Sequence, residues 1–313
     1  MGTGTAEGRA LPHSPLDLSV IFSFFPTYFN CSNNRYFTTT DNMSRKHQKY
    51  RRHLLNLICQ YFKNSRRHKL SITHKLNVIE YVLREGVSWM SLNKLSPYKT
   101  RGDESTYRKF FYKLCETEIF KTAINNFIIT IPKQVYIDTT TILNKSCRKK
   151  DVDYCSKDRK HKGIKISTYC DDNRFIYLPV ISKANIHDIK LLEPTLDINV
   201  KPICLVGDKG YISSELKTKL KNNGTELVYP YRNYNKSNKL SKNGEKKHKK
   251  TYRTNTDEDK TKLKKRHLIE NIFANLKQFK RLGYIYERNI NYFRGFVYLA
   301  CYLMNSNVGY NFP

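Results

Sequence analysis

Two short runs of strand-forming residues each lead to an aspartate. Gln134-Val-Tyr-Ile runs into Asp138, and Ile203-Cys-Leu-Val206 is followed by Gly207 and Asp208. β-Branched and aromatic residues in such runs favour strands, so each reads as a short buried strand ending at or just before its carboxylate. Open sheets gather their sites at strand ends. Carboxylates placed there can converge on hard divalent cations, Mg²⁺ or Mn²⁺, which prefer oxygen ligands. A third acid, Glu270, lies in Arg266-His-Leu-Ile-Glu-Asn-Ile-Phe-Ala-Asn-Leu-Lys277. At about 100° per residue, Arg266, Glu270 and Lys277 share one flank of a helix. Ile269, Ile272, Leu276 and Phe279 form a separate apolar stripe beside it. Taken alone, that flank reads first as ion pairing at i,i+4 spacing. Three carboxylates around two cations suit phosphodiester chemistry, one cation activating the attacking oxygen and the other stabilising the leaving oxygen.

The surroundings of these acids are strongly basic. The 313-residue chain carries 57 Lys and Arg against 27 Asp and Glu, a formal net charge of +30 spread along its length. Such an excess repels itself in a compact fold and calls for a polyanion, of which nucleic acid is the commonest. A membrane surface fits less well, since no long basic amphipathic helix and no membrane-length apolar run occurs. The run from Leu18 to Phe25 follows Asp17 and not a positive cluster, which makes it a poor signal peptide. Eight cysteines are scattered without a Cys-x-x-Cys, which argues against a zinc ribbon or a disulfide scaffold and for reduced thiols in an intracellular protein.

The elements that must position the acids follow from periodicity. Residues 1–45 read as weakly structured, and Met43 could be an alternative start. Residues 46–130 carry helical patterns: Leu54, Leu55, Ile58, Tyr61 and Phe62 on one face, then Leu76, Ile79, Val82 and Leu83, broken by Gly86. Ser105-Thr106 reads as the cap of a further helix with Phe110, Phe111 and Leu114. Short helices with many lysines suggest a helix-turn-helix-like DNA-binding domain, with a plain bundle as the alternative. From residue 131 the period becomes that of strands: after Gln134–Asp138 come 163–169 and 175–181, joined by a turn at Asp171-Asp172-Asn173. A helix from His187 to about Leu196, the strand at 203–206, a helix over 213–221 closed by Gly224, and a strand at 225–229 complete the order. His187 and Asp188 suit a helix start better than a metal site. Tyr211 reads equally as a DNA contact or as core. Residues 231–265 read as a long basic loop or insertion; its Lys246–Lys250 run could grip DNA, act as a nuclear localisation signal or be a solvated loop. Two helices, about 266–281 and 290–305, close the chain.

These motifs resemble those of DDE-class insertion-sequence transposases. Val135-Tyr-Ile-Asp138-Thr-Thr resembles the first motif of that family and Gly207-Asp208-Lys-Gly-Tyr211 the second. Arg266, Glu270 and Lys277 match the spacing of its Tyr-(2)-Arg-(3)-Glu-(6)-Lys signature. The resemblance extends over about residues 70–305, with the three acids in order and separated by 70 and 62 residues. It implies a ribonuclease-H-like mixed sheet flanked by helices over 131–313, preceded by the small helical DNA-binding domain. It also implies two divalent metal ions, Mg²⁺ or Mn²⁺, held by Asp138, Asp208 and Glu270. Arg266, Lys277 and Lys209 would then contact double-stranded DNA, at the element ends and in the target, and the active complex would be a homodimer. Water would cut one strand at the element's end, and the 3′-hydroxyl would attack target DNA. A domesticated DNA-binding protein, or a nuclease without strand transfer, is the alternative. One departure stands out: the signature tyrosine falls at Leu263, which puts its DNA-end contact in doubt. Glu287 is a rival third acid without Arg and Lys at signature spacing.

Overall fold

Over 134–144 and again over 162–171 the apolar side chains alternate between two apolar environments, as strands buried on both faces require. The computed structural model describes residues 45–63, 70–92, 103–128, 130–155, 160–231 and 255–306. The expectations for residues 1–44, including the alternative start at Met43, and for the Lys246–Lys250 run lie outside these. The described residues all fall in one compact unit, 43–313.

Among the described residues four helices come first: α1 (Arg45–Tyr61), α2 (Ile72–Glu85), α3 (Glu104–Glu116) and α4 (Ile119–Asn125). The strands are β1 (Gln134–Asn144), β2 (Asp153–Tyr154), β3 (Lys162–Asp171), β4 (Val180–Lys183), β5 (Cys204–Val206), β6 (Glu226–Val228) and β7 (Tyr284–Ile285). Helix α5 (Asp188–Asp197) joins β4 to β5, α6 (Ser214–Asn222) joins β5 to β6, and α7 (Asp257–Lys264), α8 (His267–Gln278) and α9 (Ile290–Ser306) follow. The seven strands form one mixed sheet in the order β2-β3-β1-β5-β6, with β4 also on β3 and β7 also on β1. β3 runs antiparallel to β1, whereas β5 is parallel to β1 and β6 to β5.

The sheet separates two cores. Tyr136 and Ile142 of β1 enter one with α8, α9 and the four N-terminal helices, while Val135 and Ile137 enter the other with Leu192 and Leu196 of α5 and Leu216 and Leu220 of α6. Helices before residue 130 and after residue 266 thus bury their side chains in one continuous core. Helix α9 is its centre. The periodicity marks one apolar side, Phe296, Leu299, Ala300 and Leu303, but Phe293, Val297, Cys301 and Tyr302 are buried too. Gly295 is what lets α3 approach: a β-carbon there would run into Cys115 Sγ. Gly295→Ala is therefore expected to destabilise the protein by about 1–3 kcal/mol through overpacking. Alanine is the better helix former by about 1 kcal/mol, so a raised melting temperature would refute this account.

Several local expectations need correction. β1 does not stop at Asp138 but continues for six residues to Asn144, because β3 pairs with it through Leu143. The third helix begins at Glu104 with Asp103 as N-cap, and Ser105 donates to Asp103 from inside the first turn. Over 175–181 only Val180 and Ile181 are strand; the preceding residues form one isolated β-bridge with β3, Cys170 to Ile176. Asn305 of α9 satisfies both backbone groups of Ile176 there. The far end of the expected 231–265 loop is helix α7, capped by Thr256 and carrying Asp257, Glu258 and Asp259 in its first turn, where they complement the helix dipole. Tyr61, placed on an apolar face by periodicity, is 54% exposed. Among the described residues, Cys115, Cys147, Cys170, Cys204 and Cys301 carry free thiols, as scattered reduced cysteines should. No described helix is long and apolar enough to cross a membrane.

Candidate active site

The parallel register of β1 and β5 is what brings the first two acids together. Tyr136 lies opposite Val206, and each aspartate follows its paired residue by two positions. β5 ends at Val206, so Asp208 leaves the sheet beside Asp138. Gly207 makes the exit possible, since a β-carbon there would sit 2.7 Å from the Tyr211 ring. Asp208 then caps the short 3₁₀ turn Lys209–Tyr211, its Oδ1 accepting the Gly210 N–H at 2.7 Å.

Asp138 faces α8. Arg266, the N-cap of that helix, places Nη2 3.4 Å from Asp138 Oδ2 and 3.4 Å from Glu270 Oε1, so one guanidinium nitrogen links the first and third acids. The other Asp138 oxygen accepts the Thr139 N–H at 2.8 Å. Burial pushes the Asp138 carboxyl above its ordinary range; Asp208 and Asp188 push the same way, against the Thr139 N–H and Arg266. Glu270 is more open, 57% exposed against 22% for Asp138. Lys277 lies two turns further along α8, exposed, and Lys209 is exposed beside Asp208. Leu263, on α7, packs against the core.

Three residues gain new meaning from the structure. Tyr211 is fully buried in the second core, which favours the core reading, yet its hydroxyl has no hydrogen-bond partner among the described residues. Burial holds that phenol far above its ordinary value, and Asp138, Asp188 and Asp208 add to the effect. Glu287 is set apart: it is buried and paired with Arg281, at 2.5 Å. Asp188 is the residue that sequence reasoning missed. His187 does cap α5, accepting the Ile189 N–H, but Asp188 joins the acidic centre: its Oδ1 accepts from Thr139 Oγ1 and from Lys165 Nζ, both at 2.8 Å. No local pattern announces this, because its partners lie on β1 and β3.

The donor set suits a hard cation. It consists of carboxylate oxygens, two of them adjacent, in surplus over the cations that face them. Among the described residues no three His, Cys, Asp or Glu side chains close around one point; Asp138 and Asp208 would supply the adjacent pair and the exposed, long-armed Glu270 the third ligand.

A mixed sheet that delivers two aspartates side by side, opposite a helix bearing Arg and Glu, defines an α/β protein with an acidic centre set in a basic chain. A family profile described as Transposase DDE domain matches residues 131–304, more than half of the chain, and the chain belongs to that family. No protein of curated function matches it. Among solved structures it is similar to a cryo-EM structure of the piggyBac transposase synaptic complex with hairpin DNA, at 11% identity and a TM-score of 0.43, over 83% of this chain and 72% of that one.

Proposed function

We propose that this protein is a DNA transposase that binds the ends of a mobile element and catalyses metal-dependent strand cleavage and transfer to target DNA. The observation that carries the reading is the β1–β5 register, which sets Asp138 beside Asp208 while Arg266 ties Asp138 to Glu270. The sheet order supports a ribonuclease-H-like catalytic domain: an antiparallel β1–β3–β4 set continues into parallel β5 and β6. Asp208 follows the fourth strand longer than two residues.

In this reading Asp138, Asp208 and Glu270 hold two divalent cations, Mg²⁺ or Mn²⁺. Bound there, such cations polarise the phosphodiester and stabilise the charge of the leaving oxygen. The chain's own groups do the rest. Arg266 neutralises part of the acidic centre and contacts phosphate, while Lys209 and Lys277, exposed on either side, hold the DNA backbone. Water attacks the phosphorus at the element's end and the P–O3′ bond breaks; the freed 3′-hydroxyl then attacks a target phosphodiester, displacing its 3′ oxygen. The helices over 45–125 serve DNA binding, and two copies act together in the synaptic complex.

The test is cleavage of supercoiled DNA with Mg²⁺ or Mn²⁺. Wild type is expected to nick, and Glu270→Ala to bind without nicking. Equal nicking by both removes Glu270 from the site. No nicking by wild type, even on DNA carrying the flanking ends of its own gene, overturns the catalytic reading.

A further inference from the structure

Successive side chains of a strand point to opposite faces of its sheet. On β1, Asp138 points to α8 and Thr139 to the α5 side, where it meets Asp188. Four groups form a continuous chain of contacts through the sheet. Lys165 of β3, only 5% exposed, donates to the Ile186 carbonyl at 2.6 Å and to Asp188 Oδ1 at 2.8 Å. Asp188 Oδ1 also accepts the Thr139 hydroxyl, and the Thr139 N–H holds Asp138 Oδ1. The other Asp188 oxygen faces the turn that carries Asp208. A β-carbon added at Gly210 would lie 3.5 Å from Asp188 Oδ2 and 2.8 Å from Asp208 Oδ1. Asp188 therefore sits between the strand of the first aspartate and the turn of the second.

We propose that Thr139, Asp188 and Lys165 are positioning residues that set the placement of Asp138 and Asp208 for cation binding. Lys165 offsets part of the charge of Asp188, which limits its repulsion of the other acids. Anchored in this way, Asp188 fixes Thr139 through its hydroxyl, and Thr139 fixes the Asp138 carboxylate through its amide. Groups that orient ligands from behind in this way typically change metal affinity by roughly 10–100-fold when removed. The inference rests on the cation-binding role of Asp138 proposed above.

A pair of substitutions separates positioning from strand stability. Thr139→Val keeps shape and β-branching but has no hydroxyl, whereas Thr139→Ser keeps the hydroxyl and gives up the β-branch. A structural role favours valine; the positioning role favours serine. Mn²⁺ affinity of the full-length protein, measured by calorimetric titration without DNA, is the readout, with Asp138→Asn as the reference. Thr139→Val is expected to weaken Mn²⁺ binding by roughly tenfold or more, with Thr139→Ser within about threefold of wild type. Wild-type affinity in Thr139→Val, or equal weakening in both variants, overturns the proposal while Asp138→Asn still marks the site. Equal Mn²⁺ binding by wild type and Asp138→Asn overturns both the proposal and the cation reading beneath it.

Discussion

Asp138→Asn is expected to slow DNA nicking by about 10³-fold while leaving DNA affinity intact. Cation stabilisation of the reacting oxygens is worth several kcal/mol, and each 1.36 kcal/mol is about tenfold in rate. The substitution removes a charge and little else. Asparagine fills the same volume, and its carbonyl can still accept the Thr139 N–H now held at 2.8 Å. The sheet around it is secured on both sides, through Thr168 on β3 and through the β1–β5 pairing at Val135 and Tyr136. DNA affinity should hold or rise slightly, because one carboxylate fewer faces the phosphates. Single-turnover nicking measures the first effect. Fluorescence anisotropy at one fixed salt concentration measures the second, since affinity for DNA depends steeply on salt. If the variant nicks at the wild-type rate, Asp138 is not in the reaction centre. If it loses DNA binding in step with nicking, the carboxylate is structural.

Glu287→Ala is expected to have the largest effect on stability and none on chemistry. Glu287 Oε1 accepts from Arg281 Nε at 3.1 Å and from Nη2 at 2.5 Å, and Arg281 Nη1 donates to the Val87 carbonyl at 3.1 Å. The two side chains are only 7% and 2% exposed. Removing one partner of such a pair leaves a buried charge uncompensated, at about 3–5 kcal/mol. For a domain of this size that is a fall of roughly 10 °C in melting temperature. Arg281 also connects the turn after α8 to the segment after Gly86, so the loss loosens two elements at once. Replacing both partners with apolar residues should recover much of the stability, because the desolvation cost of the pair disappears with it. Nicking per folded molecule, measured well below the transition, should be unchanged. A folded Glu287→Ala protein that binds DNA but cannot nick would make Glu287 the third acid in place of Glu270.

Much of the candidate site was legible because it rests on local features. Strand formers before Asp138 and Asp208 made strands, the i,i+4 spacing of Arg266 and Glu270 made an ion pair, and the apolar stripe of α8 is buried where periodicity placed it. The charge excess and the motif spacings pointed to the transposase family before any coordinates did. Other features depended on partners distant in sequence. Thr139-Thr-Thr is β-branched but carries no apolar signal, so its pattern alone does not carry β1 past Asp138 as a buried strand; the extension is fixed by pairing with β3 and, at Leu143 and Asn144, with β7. Asp188 reads as an ordinary first-turn acid of a helix, where a negative charge is favoured anyway. Only the approach of Lys165 and Thr139 makes it part of the acidic centre. The burial of α9 well beyond one apolar side, and the core it shares with the helices before residue 130, follow from close packing that one helix's periodicity cannot express. The sequence by itself determined the local elements and the charge, and it singled out the three acids as candidates. The tertiary structure alone decided that Asp138 lies beside Asp208 and that Arg266 links Asp138 to Glu270, because strand register and core sharing are set by contacts between residues far apart in the chain.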